Sequence, residues 1–78
     1  MPVVLRESGF RFYFYSMEGN EPPHVHVDKG GASAKYWLEP IRIASNRNYG
    51  PTELRRISQI LFEHQTELLR QWHEYFDS

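Results

Sequence analysis

Hydrophobic and polar positions change their spacing once along this chain. Up to Gly50 the apolar residues recur at every second position; after Pro51 they recur at about 3.6, which predicts strands first and a helix last. That order is the α+β arrangement, expected here as a single domain over residues 1–78. In a first strand, residues 10–15, Phe10, Phe12 and Phe14 alternate with Arg11, Tyr13 and Tyr15. Gly19-Asn20-Glu21-Pro22-Pro23 breaks the run as a loop. A second strand, residues 24–28, puts Val25 and Val27 on one face and His24, His26 and Asp28 on the other.

Gly30-Gly31 supplies a two-residue hairpin turn and with it a register. If these glycines are the central pair, Asp28 faces Ser33, His26 faces Lys35, His24 faces Trp37, Val27 faces Ala34 and Val25 faces Tyr36. Directly opposed residues share a face, so polar meets polar and apolar meets apolar; a slip by one residue would oppose Val25 to Lys35. The third strand is then residues 33–38. Residues 41–44 follow as a fourth strand, at an edge, since Pro40 donates nothing to a central ladder. Ser45-Asn46-Arg47-Asn48-Tyr49-Gly50 reads as a polar loop.

Pro51 suits a first helical turn with Gly50 or Thr52 as its cap, and no glycine or proline interrupts the helix expected over about residues 52–76. Leu54, Ile57, Leu61, Leu68, Trp72, Tyr75 and Phe76 form one stripe, with Arg56, Glu63, Arg70 and Glu74 opposite. The expected fold is an antiparallel sheet of three to four strands packed on one face by a long C-terminal helix. Such a helix is about 36 Å long, whereas a strand of six or seven residues reaches only about 20–24 Å. Either the helix breaks near Gln65-Thr66, or the end bearing Trp72, Tyr75 and Phe76 needs other cover: a loop, the Val3-Val4-Leu5 segment, or another chain. Large aromatics in such a place are common interface anchors, so self-association or a protein partner is expected there.

Composition narrows the function classes. Cysteine is absent from the 78 residues, which removes thiol catalysis and cysteine-ligated metals. No apolar run reaches the ~18 residues of a membrane span, the first residues are too short an apolar run for a leader, and a cytoplasmic protein is expected. The net charge of -1 excludes a global basic field. Aromatic residues make up 15% of the chain, enough to enlarge a small core or to furnish stacking surfaces.

The sharpest chemical signal is His24-x-His26. Two residues apart on a strand, both imidazoles leave one face about 7 Å apart, a spacing that serves a metal, a proton-transfer pair or an anion. A metal needs a third converging ligand. Asp28 lies too far from His24, Lys35 and Trp37 coordinate poorly, and only Glu18 or Glu21 can fold back, so no metal or cofactor is expected. As acid–base groups the histidines share their face with Arg11, Tyr13, Tyr15, Lys35, Trp37 and Arg42. Cations interleaved with aromatics suit single-stranded nucleic acid, and a histidine beside a phosphodiester can take the proton of a ribose 2′-hydroxyl. The plainer account is a solvated sheet face in which His26 and Lys35 merely pair across the hairpin. His64, at the edge of the helical stripe, reads as a packing residue, and His73 as exposed.

The segment Glu21-Pro22-Pro23-His24-Val25-His26-Val27, followed by Lys29-Gly30-Gly31-Ala32, resembles the small bacterial proteins grouped as domain of unknown function 4160. Arg11-Phe12-Tyr13-Phe14-Tyr15 with Glu18 after it, Ala34-Lys35-Tyr36-Trp37, and the helix with His64, Glu67-Leu68-Leu69 and Trp72 extend the likeness over nearly the whole chain. The polar loop at residues 45–50 departs from the pattern. The resemblance implies a component of a compact two-gene module, of toxin–antitoxin or regulatory type, with a cognate protein from the neighbouring gene. It carries over no established activity. His24 and His26 match its signature positions. The leading expectation is action on RNA or another nucleic acid through the histidine-bearing face; the alternative is a non-catalytic module that binds a partner, or itself, through the aromatic helix end.

Overall fold

Two short turns in which the backbone enters the left-handed region decide how the sheet is built. Ser8 and Gly9 have φ of 56° and 84°, and Gly30 has φ of 59°. Positive φ in a two-residue loop gives the chain the twist that lets antiparallel strands continue without splaying. In a computed structural model, which describes residues 3–15 and 19–77, five strands form one antiparallel sheet in chain order. They are β1 (Val3–Glu7), β2 (Phe10–Tyr13), β3 (His24–Lys29), β4 (Ala32–Leu38) and β5 (Ile41–Arg47), followed by α1 (Pro51–Phe76).

Three to four strands were expected, and five are present. The added strand is β1, folded back on β2 by the Ser8-Gly9 turn so that Glu7 faces Phe10 and Leu5 faces Phe12. An irregularity between Val3 and Leu5 breaks the alternation that would have announced it. At the opposite edge, β5 runs past Ala44 to Arg47 instead of giving way to a loop. The β4–β5 ladder skips one residue between Lys35 and Tyr36, and pairing then resumes through Lys35–Ser45 to Ser33–Arg47. The β3–β4 register is the one the turn dictates, with Val25 opposite Tyr36 and His26 opposite Lys35. Glu18 lies outside the described residues.

The helix begins where local chemistry sets it. Gly50 caps it, Pro51 takes the first helical position, and the Glu53 carboxylate accepts the Gly50 N–H at 3.2 Å. Before it, Asn48 adopts φ of 73°, and its side-chain amide donates to the Gly31 carbonyl at 3.1 Å. One face of the helix then closes over the sheet. Phe12, Val25, Val27 and Leu38 meet Ile57, Ile60 and Leu61 in a dry core. Tyr49 is buried there too, and its hydroxyl donates to the Val27 carbonyl at 3.1 Å. Glu7 ties β1 to the helix by accepting from His64 Nε2 at 2.9 Å and pairing with Arg56 at 3.4 Å.

At about 1.5 Å per residue, 26 helical residues outrun every strand of the sheet. Phe14, Gly19 and His24 cover the excess. The Trp72 ring lies 5.2 Å from Phe14 and 4.9 Å from His24. Phe76 packs so tightly on Gly19 that a Cβ there would fall 2.6 Å from the ring. Trp72 is only 3% exposed, which corrects its expected role as an outward-facing anchor; Phe76 is half-buried, and Tyr75 stays 41% exposed.

Replacing Trp72 by Ala should therefore act on stability, lowering the unfolding free energy by about 3–5 kcal/mol as a large buried ring is lost. Denaturant unfolding measures this, and a loss below about 1 kcal/mol would contradict the core placement.

Candidate functional site

The face of the sheet away from the helix is organised as rows, because opposed residues on neighbouring strands share a face. One row runs Arg6, Arg11, Asp28, Ser33, Arg47. The next runs Val3, Tyr13, His26, Lys35, Ser45, and a third His24, Trp37, Arg42. Arg6, Arg11, Lys35, Arg42 and Arg47 thus share a surface on which Asp28 is the only carboxylate within the rows. Charge that averages out along the chain is separated by the pleat.

A cleft of about 370 Å³ opens on this face, lined by Tyr13, Tyr15, His26, Ser33, Ala34, Lys35, Ser45, Asn46 and Arg47. That volume is at the lower end for small-molecule sites. Ser45, Asn46 and Arg47, on the part of β5 beyond its ladder irregularity, supply one side of this lining. His26 forms the wall between two phenols: its ring stacks on Tyr13 at 5.6 Å and lies 4.3 Å from Tyr15. Tyr15 is 38% exposed and offers a ring face to a ligand. Tyr13 is buried, and burial pushes its hydroxyl pKa well above the ordinary phenol value, with the Tyr15 hydroxyl and the Asp28 carboxylate adding to the effect.

The two signature histidines have different surroundings. Their rings are 5.3 Å apart, but His24 is completely buried against Trp72, and its Nδ1–H donates to the Pro22 carbonyl at 2.9 Å. It reaches no ligand from solvent, which corrects the expectation of two equivalent imidazoles; His26 is the one at the cleft. Of the other expected residues, Tyr13, Tyr15 and Lys35 line the cleft. Trp37 lies under the Lys35 ammonium at 4.6 Å, Arg11 sits 3.9 Å from Asp28, and Arg42 faces Trp37 from β5. These three share the face without lining the cleft. Sequence reading missed Ser45, Asn46 and Arg47; the length of β4 was the available signal, since a partner strand pairing back to Ser33 must extend beyond Ala44.

Among the described residues, three possible metal ligands converge away from the cleft: Glu7, Glu63 and His64, with donor atoms within 4.8 Å of one another. Arg56 and His64 already engage Glu7 there, which explains the grouping as the clamp on β1. Glu21 comes within 3.7 Å of His24 Nδ1, but its carboxylate is held by Lys35 at 2.8 Å. No helix among the described residues is long and apolar enough to cross a membrane.

Tyr13, Tyr36 and Tyr49 all have raised pKa values, caused first by burial; that of Tyr49 reaches about 12. The unfolded chain would lose these protons near the usual value of about 10. The folded state then holds more protons, so stability present below pH ~10 is lost as the pH rises towards 12 and beyond. Phenolate absorbance should show these tyrosines ionising together with unfolding; free titration of all five tyrosines in an intact fold would refute their burial.

Comparison with known proteins places residues 9–73 in the family described as Domain of unknown function (DUF4160). No curated protein and no solved structure matches the chain.

Proposed function

The chain belongs to the DUF4160 family, whose description names no activity, and from the geometry of its open face we propose that it binds single-stranded RNA there, with His26 as the acid–base group at the bound strand. The observation that carries this reading is the cleft itself, where Tyr15 and His26 stand beside Lys35 and Arg47. An exposed aromatic ring stacks on any base, and cations spaced around it pair with phosphates. A cleft of about 370 Å³ is of the size of a small-molecule site, and a base must be unpaired to stack on Tyr15 there. Arg42 and Arg6, on the flanking rows, extend the positive track along a strand.

Imidazole exchanges protons near neutral pH, so His26 can take a 2′-hydroxyl proton from an RNA lying across Tyr15. His24 holds the loop and the neighbouring ring in place; Trp37 orients Lys35. Under this reading the protein works in the cytoplasm beside the product of a neighbouring gene, as one half of a toxin–antitoxin-like or regulatory pair. A second reading, association through the helix end, is favoured by one observation. Tyr75, 41% exposed, lines a groove of about 270 Å³ together with Val4, Phe14, Gln71 and Glu74. Sedimentation at micromolar concentration tests whether a second copy covers it.

Fluorescence anisotropy with a labelled single-stranded RNA and its duplex is the direct test. The single strand should bind preferentially, and log affinity should fall with log salt by about 0.7 for each phosphate neutralised. Tyr15→Ala should weaken binding by about 1–3 kcal/mol for the base it stacks, and Arg47→Ala should flatten the salt slope by roughly 0.7. His26→Ala should retain binding and lower any strand cleavage about 10²–10⁴-fold. Failure of the unaltered protein to bind single-stranded RNA overturns the reading.

A further inference from the structure

The Lys35 ammonium has an occupant already. Glu21 Oε1 lies 2.8 Å from Lys35 Nζ, and the same ammonium sits 4.6 Å above the Trp37 ring. Lys35 lines the cleft and Glu21 does not, so the carboxylate engages from outside the cleft the ammonium that a ligand phosphate would meet there. Glu21 is 42% exposed at its side chain and Lys35 20%, and an ion pair this open to water stabilises a fold little. Its placement is nonetheless restrained. Pro22 and Pro23 follow Glu21 directly, each with its φ locked by the ring. The Pro22 carbonyl accepts the His24 Nδ1–H at 2.9 Å, and the Pro23 carbonyl accepts the Leu38 N–H at 2.9 Å. The loop is thereby fastened at two consecutive residues immediately after Glu21. A carboxylate tethered this close competes intramolecularly, at an effective concentration that a free anion in solution does not reach.

We propose that Glu21 is a built-in competitor for the phosphate subsite of the cleft: its carboxylate masks Lys35, and RNA binds only by displacing it. The inference rests on the open face being the RNA site. It adds that the site is held at a deliberately reduced affinity, so that a strand with several phosphates, which also engages Arg47, displaces the carboxylate more readily than a mononucleotide does. The exchange involves no bond making or breaking. One carboxylate leaves Lys35 for water and one phosphate replaces it.

The test is anisotropy with the same labelled single-stranded RNA on four variants. Glu21→Gln keeps the side chain's shape and removes its charge. It should tighten binding about fivefold or more, the effect of releasing one unit charge at contact distance in water, and steepen the salt slope by about 0.7, one further phosphate neutralised. Glu39→Gln makes the same change in net charge at an exposed residue in the turn between β4 and β5, and should leave both quantities unchanged. Lys35→Gln should weaken binding, and in the double variant Glu21→Gln with Lys35→Gln the gain should vanish, since the two residues act through one contact. Denaturant midpoints establish that each variant is folded. RNA binding by the unaltered protein with no gain in Glu21→Gln overturns the competitor and leaves the RNA reading standing. A gain that persists without Lys35, or that Glu39→Gln reproduces, overturns it as a mere charge effect. Absence of binding by the unaltered protein overturns both.

Discussion

A helix longer than the strands beneath it must find cover for its last turns, and much of this structure follows from how that cover is supplied. The indole of Trp72, at one end of the core, is closed in by Phe14, just after β2, and by His24, the first residue of β3. Burying the His24 ring deprives it of water, so its Nδ1–H must find an acceptor within the protein; the Pro22 carbonyl supplies it. That bond fastens the diproline loop, and the fastened loop holds Glu21 over Lys35. The hydrophobic demand of one helical end is thus transmitted through three contacts, Trp72–His24, His24–Pro22 and Glu21–Lys35, to the polar face of the sheet. Apolar burial supplies the driving force, and the hydrogen bonds supply direction.

The sheet in turn divides the chemistry. Period-two alternation sends Phe12, Val25 and Val27 under the helix, and sends His26, Lys35 and the arginines to solvent. A chain with a net charge of -1 acquires a cationic surface this way, since much of its acid lies on the outer face of the helix. There Glu67 and Glu74 pair with Arg70, whose guanidinium is held protonated by them. A net charge near zero therefore says little about whether a small protein meets a polyanion.

What was legible in the sequence follows the same logic. The β3–β4 register was readable because Gly30-Gly31 fixes the turn and both flanking runs alternate. Helix start, helix end and most of its buried stripe were readable from Pro51 and the 3.6 period, although Ile60 fell outside the stripe as drawn. β1 was not readable from periodicity. Val3-Val4-Leu5 is an unbroken apolar run made irregular by a skipped residue, and the Ser8-Gly9 turn puts a non-glycine residue at positive φ. β5 was cut short because Ser45, Asn46 and Arg47 are residues that elsewhere make loops; cross-strand pairing to Ser33 and Lys35 overrides that preference. Tyr49 looked like part of a polar loop, yet the Asn46 side chain receives its N–H at 3.1 Å and turns the ring into the core. For the two edge strands pairing with a neighbour, and for Tyr49 a hydrogen bond to a residue three positions before it, decided what local composition left undetermined.

The His-x-His pair shows the limit of period-two reasoning most clearly. Spacing alone assigns both imidazoles to one face and brings their rings to 5.3 Å. It does not say what lies above each. His24 stands at the strand end, where the helix overhangs and solvent is excluded; His26 stands one pleat further in, where the open face begins. The same residue type therefore meets two dielectric environments within three residues. The buried ring gives its Nδ1–H to the Pro22 carbonyl, which only accepts. The ring at the cleft stands between two phenols, beside the cation that faces it across the hairpin. One signature thus contains two functions, a fastening and a face, and the fastening is what holds the face's electrostatic partners in place.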